Sequence, residues 1–537
     1  MAEEDSASGR PEAKRCRSAP PSLPAPLVEA LERFHELIPA SHLLRWHDNM
    51  RQGLARLASH GVITCGSACA GTDIWKKCWD LLLQHWQTEF QVDSRCSCEF
   101  VAEIDSSKQA FLRHQFDCHT LIADVAEMNT NRMFNLVSRK SEHLSWVSVL
   151  GGGFSCKDLS RMNSQRKKHQ GACRRKEGST GETLDHLLSY ISRSRPKLAL
   201  LECVLDMSST YADDEGQLTS DSDYVVERVE ALNMVCVVVE FNASDYGSRA
   251  DRARWWALIF DAPTKLKAAI TQNFNEVFVN LKLPAFPIER FLIQPSDLER
   301  RCSSLPYGTS QRPSTRHVAE PEWKQIHEQL FLENGLTWPP VEAPIDVLRQ
   351  HFSRPRECEV IYFANKLFPE EELDVARFFD ANHSVERTLR CGSQKSKQAD
   401  ALNYANPWRT HVPTMTTHSS MVMRSMSASR GVCFKRIHPL EMMSLTGWAL
   451  DMYRPGTDSA PGPWYGDETQ TPELLADLAG NAWSGFAVLP ILISAIGAVP
   501  WHDVDSGAAP RGCEQTVVNL DAEDDFDDSS SSATITG

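Results

Sequence analysis

The sequence has 16 cysteines but no C-x-x-C pair among them. That argues against structural zinc fingers and a disulfide framework, and favours a reducing compartment with no metal. No apolar run approaches the roughly 18 residues that a membrane span needs, so no membrane partner is expected. The opening residues, Met1-Ala-Glu-Glu-Asp5, lack the basic start and apolar core of a secretory signal. Positive charge is scarce, with a net charge of -15 over 537 residues. Any local crowding of Lys and Arg therefore stands out. Hydrophobic residues make up 42% and charged residues 24%, which fits a globular protein of two or three domains.

The most informative stretch is Gly151-Gly-Gly-Phe-Ser-Cys-Lys-Asp-Leu-Ser160. It follows Trp146-Val-Ser-Val-Leu150, which reads as a buried parallel strand. The three glycines read as a tight turn that a ligand can approach. Cys156 then stands just past a strand end, where ligands bind in open α/β sheets. Two readings stay open for it: a nucleophile, or a small buried apolar side chain. Arg161, Arg166, Lys167, Lys168, His169, Arg174, Arg175 and Lys176 follow, with Gly171, Gly178 and Gly181 to let the segment move. Such a basic loop is either a solvated face or a contact for a polyanion such as nucleic acid.

The rest of the chain divides by pattern. Residues 1–26, rich in Ala, Ser, Pro and charge, read as a disordered tail. Within it, Lys14-Arg-Cys-Arg17 is a weak match to a nuclear address; without it the cytoplasm is expected. Residues 27–59 carry helical spacing, broken at Pro39. From Gly61 strands and helices alternate: strands at 62–65, 98–102, 120–123, 198–201, 235–241 and 255–260, with Ser106 as a helix N-cap. This predicts an α/β fold, a mostly parallel sheet with helices on both faces. Residues 264–431 lose the regularity and read as a separate irregular module, with Thr414–Ser429 as a joint or contact surface. Helical pattern returns at His438–Thr446 and Gly480–Ile496, within 432–500. Residues 501–537 form an acidic tail, with Asp521, Glu523, Asp524, Asp525, Asp527 and Asp528.

The turn Cys65-Gly-Ser-Ala-Cys-Ala-Gly-Thr-Asp73 joins the first strand to its helix through small residues. Glu103 ends the second strand, placed to accept from ribose hydroxyls, and Asp124 ends the third, placed to accept from an adenine amine. Together they point to a nucleoside cofactor.

In this order the motifs resemble the cytosine-5 DNA methyltransferase family. Ala70-Gly71 looks like its cofactor turn and Ala102-Glu-Ile-Asp105 its ribose-binding strand end. Gly153–Ser160 is similar to its nucleophile loop, and Leu201-Glu-Cys-Val204 to its Glu-Asn-Val strand. Tyr246–Arg254 resembles its Gln-x-Arg-x-Arg motif, Arg436–Glu441 with Leu445-Thr-Gly-Trp448 the motif that supports the target domain, and Leu478-Ala-Gly-Asn-Ala482 its closing Gly-Asn. The resemblance covers about 61–260 and 432–500.

The resemblance implies a Rossmann-like methyltransferase sheet in 27–263 and 432–500, with 264–431 as the target-recognition domain. It implies S-adenosylmethionine as cofactor, held by Ala70, Gly71, Thr72, Glu103, Ile104, Asp124 and Asn481. It implies Cys156, Glu202, Arg252 and Arg254 as catalytic residues, acting on DNA. RNA methylation by the same apparatus and non-catalytic nucleic-acid binding remain alternatives. The implied nucleic-acid contacts in the insert are Arg300, Arg301, Arg312, Arg316, Lys324, Arg387, Arg390, Lys395, Lys397, Arg409 and Arg424. The chain departs from the family pattern at Ser155 (proline), Cys203 (asparagine), Ala250 (glutamine), Cys69 (aromatic) and Asp73 (glycine). A thiol nucleophile also needs a lowered pKa, which the neighbouring arginines and the cofactor's sulfonium would supply.

Overall fold

The computed structural model describes residues 25–59, 61–69, 71–90, 95–116, 118–130, 132–160, 163, 165–213, 215–293, 332, 376–380, 409–417, 419, 421–427, 431–448 and 471–506. Lys14–Arg17, Ala70, Arg161, the acidic run from Asp521 and the insert's candidate cations other than Arg409 and Arg424 lie outside these residues.

Seven strands build the central sheet: β1 (Val62–Ala68), β2 (Arg95–Ala102), β3 (Thr120–Ile122), β4 (Val149–Gly153), β5 (Leu198–Cys203), β6 (Val235–Asn242) and β7 (Ala253–Phe260). Their spatial order is β6-β7-β5-β4-β1-β2-β3. β1 to β5 pair in parallel, and β7 lies antiparallel between β5 and β6. A two-residue strand, Ala58–Ser59, pairs antiparallel with the start of β1. The expected mostly parallel α/β sheet, Rossmann-like with a helix layer on each face, is therefore present. Its parallel strands are almost continuously buried, as β5 (Leu-Ala-Leu-Leu-Glu-Cys) shows along its whole length.

One face carries α1 (Ala25–Glu36), α2 (Ala40–Leu57) and α3 (Ile74–Phe90). α1 and α2 are separated by Pro39, as the periodicity predicts. α4 (Ser106–Gln115) begins one residue after its cap: Asp105, not Ser106, accepts from the backbone N–H groups of Ser107 and Lys108. α5 (Gly178–Ser194) and α6 (Asp221–Glu230) cover the other face. α7 (Lys267–Phe278) continues the core past Pro263, where Ile270, Phe274 and Val277 are buried. A three-stranded antiparallel sheet follows: β8 (Arg377–Asp380), β9 (Met421–Ser427) and β10 (Gly431–Arg436). Met421–Ser427, within the segment expected as a joint, is thus a strand with Met421 and Val422 fully buried.

α8 (Pro439–Leu445), α9 (Pro472–Asn481) and α10 (Gly485–Ala498) complete the fold. Every residue of α10 is buried, and it packs against α2, α3 and α7. The expectation of no span-length apolar stretch fails here. Pro472–Ala498 is long and apolar enough to cross a bilayer, but 89% of its most apolar window is buried in the protein, so it is a core segment. Burial of each Leu, Ile or Phe in it contributes about 1.5–3 kcal/mol. The core also runs beyond 500, since Trp501 and Val504 are buried and the Trp501 indole donates to the Ile496 carbonyl.

Glu441, wholly buried, ties residue 293 to the segment that follows the insert. It accepts from the Ile293 and His438 backbone N–H groups and from Lys435 Nζ at 2.6 Å.

Candidate active site

The glycines before Cys156 are in the strand, not in a turn. β4 runs to Gly153, and Trp146, expected inside the strand, is 68% exposed before it. The glycines are there for contact. A Cβ on Gly151 would meet the Trp75 indole at 2.5 Å, and one on Gly153 the Trp483 indole at 2.7 Å. Trp75, Trp483 and Gly153 line a small hollow of about 10 Å³ at the carboxyl end of β1 and β4.

Cys156 follows on a half-buried loop. Glu202 lies at the end of β5, paired across β7 with Trp256. Arg252 and Arg254 enter from the start of β7. Arg254 Nε sits 2.9 Å from Glu202 Oε1. No aligned hydrogen bond reaches that oxygen, so the contact is an ion pair whose donor points off axis. Arg252 is buried, and its Nη1 donates to the Gly480 carbonyl at 3.1 Å. Burial, and then the charge of Arg254, hold its pKa down to about 9. Cys156, Glu202, Arg252 and Arg254 are thus brought together. Burial raises the Cys156 thiol above its ordinary value, although Arg254 and Arg252 pull it down. The expectation that the arginines lower it holds in sign and fails in size, because desolvation of the thiolate outweighs them.

The departures at Ser155 and Cys203 have different outcomes. Cys203 is buried in the core behind Cys156. Ser155 replaces a rigid ring with a hydrogen-bond chain that sequence reasoning missed. Its hydroxyl lies 3.0 Å from Ser179 Oγ, which donates to Asp158 Oδ2 at 3.3 Å. Asp158 also accepts from Thr180 N at 2.8 Å, while its own N–H donates to Thr180 Oγ1. The Cys156 loop is thereby clamped to the start of α5. Asp158 lies inside the nucleophile motif, but only the fold shows that α5 meets it. Ala250 is buried in a pairing between residues 249–251 and Val412, so the arginine motif borders the insert.

At the other end of the site, Cys69, Gly71 and Asp73 all adopt left-handed backbone, with φ of 54°, 53° and 54°. Only one of them is a glycine. Glu103 accepts from Gly71 N through Oε2 and from Asp105 N through Oε1, both at 3.0 Å. Asp124 is exposed and caps a short helix by accepting from Ala126 N. Burial, Glu103 and Asp124 raise the Cys69 thiol to about 12, so these acids surround the turn. Ile104 stands 77% exposed beside Glu103, an apolar side chain with no cover. Thr72 is fully buried with no partner for its hydroxyl among the described residues. Asn481 closes the group: its carbonyl lies 3.6 Å from where a Cβ on Gly71 would stand, and its side chain donates to Asp477. These features fit a nucleoside cofactor. Spare lone pairs on Glu103 and Asp124 suit hydroxyl and amine donors, Ile104 suits a flat ring, and the Thr72 hydroxyl is an unused polar group.

The basic loop is less free than its composition suggests. Arg174 pairs with Glu227 and lies over the Tyr224 ring, Arg175 pairs with Glu177, and Lys176 pairs with Asp185. Arg166 and Lys168 have no carboxylate partner among the described residues. Of the insert's candidates, Arg409 is exposed, while Arg424 is 5% exposed on β9 and so is no surface contact. Among the described residues no group of His, Cys, Asp and Glu is arranged to hold a metal.

No family model matches the chain. A DNA (cytosine-5-)-methyltransferase, DMT5, of Cryptococcus neoformans is 22% identical over 494 residues, which cover 88% of this chain and 18% of that protein. The chain is similar to a cytosine-5 methyltransferase. It spans about a fifth of that relative's length. Among solved structures, the Entamoeba histolytica methyltransferase EhMeth aligns with 9% identity and a TM-score of 0.41, over 81% of this chain and 97% of its own. The S. pombe Dnmt2 methyltransferase aligns with 10% identity and a TM-score of 0.37, over 81% and 98%.

Proposed function

We propose that this protein transfers the methyl group of S-adenosylmethionine to the 5-position of cytosine in DNA, through a covalent bond to Cys156. The convergence of a thiol, a carboxylate and two arginines at the carboxyl end of the sheet carries this reading. When bound, the cofactor supplies an electrophilic methyl group on a positive sulfur. The remaining work falls to the chain. Cys156, as thiolate, adds to carbon 6 of the ring, which makes carbon 5 nucleophilic. Glu202, oriented by Arg254, holds a proton at the ring nitrogen and accepts from the exocyclic amine, stabilising the charge that develops there. Arg252 and Arg254 favour the thiolate over the thiol. Loss of the carbon 5 proton after methylation expels Cys156. The target base must leave a duplex to reach this site, with Arg166, Lys168 and the insert's cations other than Arg424 as backbone contacts. DNA is favoured over RNA by the sequence relative. Entry to the nucleus through Lys14–Arg17 accompanies this reading.

The test is trapping on oligonucleotides that carry 5-fluorocytosine, as DNA and as RNA, since fluorine cannot leave as a proton does. A denaturant-stable adduct that needs S-adenosylmethionine and is abolished in Cys156→Ala is the expected result. No adduct on either nucleic acid, with cofactor binding shown by calorimetry, supports non-catalytic binding instead. An adduct on RNA alone moves the substrate, not the chemistry.

A further inference from the structure

A second cleft lies away from the candidate active site, between α3 and α4 over the starts of β2 and β3. It is open, with a volume of about 430 Å³, and its lining shares no residue with the glycine turn, Glu103 or Cys156. β2 is eight residues long, so Arg95 at its start is roughly 23 Å from the strand's other end at about 3.3 Å per residue.

Two consecutive lysines of α3 reach this cleft, and each is only 6% exposed. Lys76 is satisfied by Asp80, 2.6 Å away. Lys77 is not. Its ammonium lies 4.9 Å from the centre of the Phe116 ring, and no described residue accepts a hydrogen bond from it. A ring face compensates a partly desolvated cation only in part, and the open cleft leaves the ammonium accessible to an incoming acceptor. Burial accordingly pulls the Lys77 pKa down to about 8. The lining carries three positive side chains, Lys76, Lys77 and Arg95, against one negative, Asp80. Ser97, Gln115 and His119 add neutral donors around the same space.

We propose that this cleft binds a phosphate group, free or carried as a monoester, with Lys77 and Arg95 as its charged ligands. The two surplus positive charges match a phosphate dianion, and an incoming oxyanion supplies the acceptor that Lys77 lacks. The proposal does not depend on methyl transfer.

Calorimetric titration of the full chain with inorganic phosphate, and separately with glycerol 3-phosphate, tests it, with potassium chloride matched for ionic strength. Saturable binding of at least one of the two is expected, and which one binds identifies the source. Lys77→Met should weaken that binding at least tenfold and Arg95→Gln at least threefold, both leaving S-adenosylmethionine affinity unchanged. Arg95 is exposed, so its variant carries the test if Lys77→Met does not fold. Absence of saturable binding by either probe overturns the proposal. So does binding that the folded variants leave unchanged.

Discussion

The two ends of the candidate site handle their departures from the family pattern differently. Around Cys156, the missing proline is answered by hydrogen bonds: Ser155, Ser179 and Asp158 hold the loop to α5. Around the glycine turn, Cys69 and Asp73 sit in left-handed backbone, Asp73 where the resemblance implies a glycine, and no hydrogen bond removes that steric penalty. A non-glycine residue there costs about 1–3 kcal/mol. A side chain that positions a loop can be replaced by a different device, whereas a backbone conformation can only be tolerated. One end is therefore held by side-chain charge and hydrogen bonding, the other by strain fixed against Glu103.

This contrast can be broken in four places. The largest effect belongs to Glu202→Gln, which keeps the shape but leaves Arg252 and Arg254 without a counter-charge. Adduct formation should slow by about 10²–10⁴; a rate within twofold of the wild type removes Glu202 from the chemistry. Next, Glu103→Ala deletes the acceptor for two backbone N–H groups and for the cofactor. A weakening of S-adenosylmethionine binding by about 1.5–3 kcal/mol is expected by calorimetry, and an unchanged affinity in a folded variant would show that the turn alone holds the cofactor.

A pH effect distinguishes the strained end. Burial raises the Asp73 carboxyl from 3.8 to about 6. The folded state then holds more protons than the unfolded state between these values. Stability should fall as pH rises through that window and level off above it, by about 3 kcal/mol in all. Asp73→Asn should lack the fall; parallel pH curves of thermal unfolding for the two proteins would contradict this. The smallest effect is expected from Asp158→Ala, which loosens the nucleophile loop. Trapping should slow about tenfold with little change in cofactor affinity, and Ser155→Pro should restore part of the rate by stiffening the loop independently. A lowered cofactor affinity instead would mark Asp158 as a general packing residue.

Much of the fold was legible because strand–helix alternation has a local signature. The buried strands read as apolar runs, and Glu103, Glu202 and Cys156 were found by standing at their ends. What escaped the sequence was set by distant contacts. The Gly151–Gly153 run looked like a turn, since nothing local reveals that Trp75 and Trp483 press on it. The charge of Arg174, Arg175 and Lys176 looked available, because Glu227 and Asp185 come from other helices and Glu177 reads simply as a neighbour. Arg424 looked like a surface cation until the pairing of β8, β9 and β10 buried it. The phosphate cleft gave no signal either, since Lys76-Lys77 is an ordinary dipeptide until α4 closes over it.

The placement of α10 and of Gly480-Asn481 at the end of α9 has a consequence for synthesis. The glycine turn at Gly71 meets its neighbour Asn481 only after some four hundred further residues have been made. At about 5–20 residues per second that interval is about 20–80 s. Through it, the apolar faces of α2 and α3 await the helix that will cover them, exposed to solvent or to chaperones. Ribosomes that stall within the insert would release chains that carry the Gly71 turn without Asn481, and a premature stop before Gly485 should yield aggregate rather than a shortened, soluble protein.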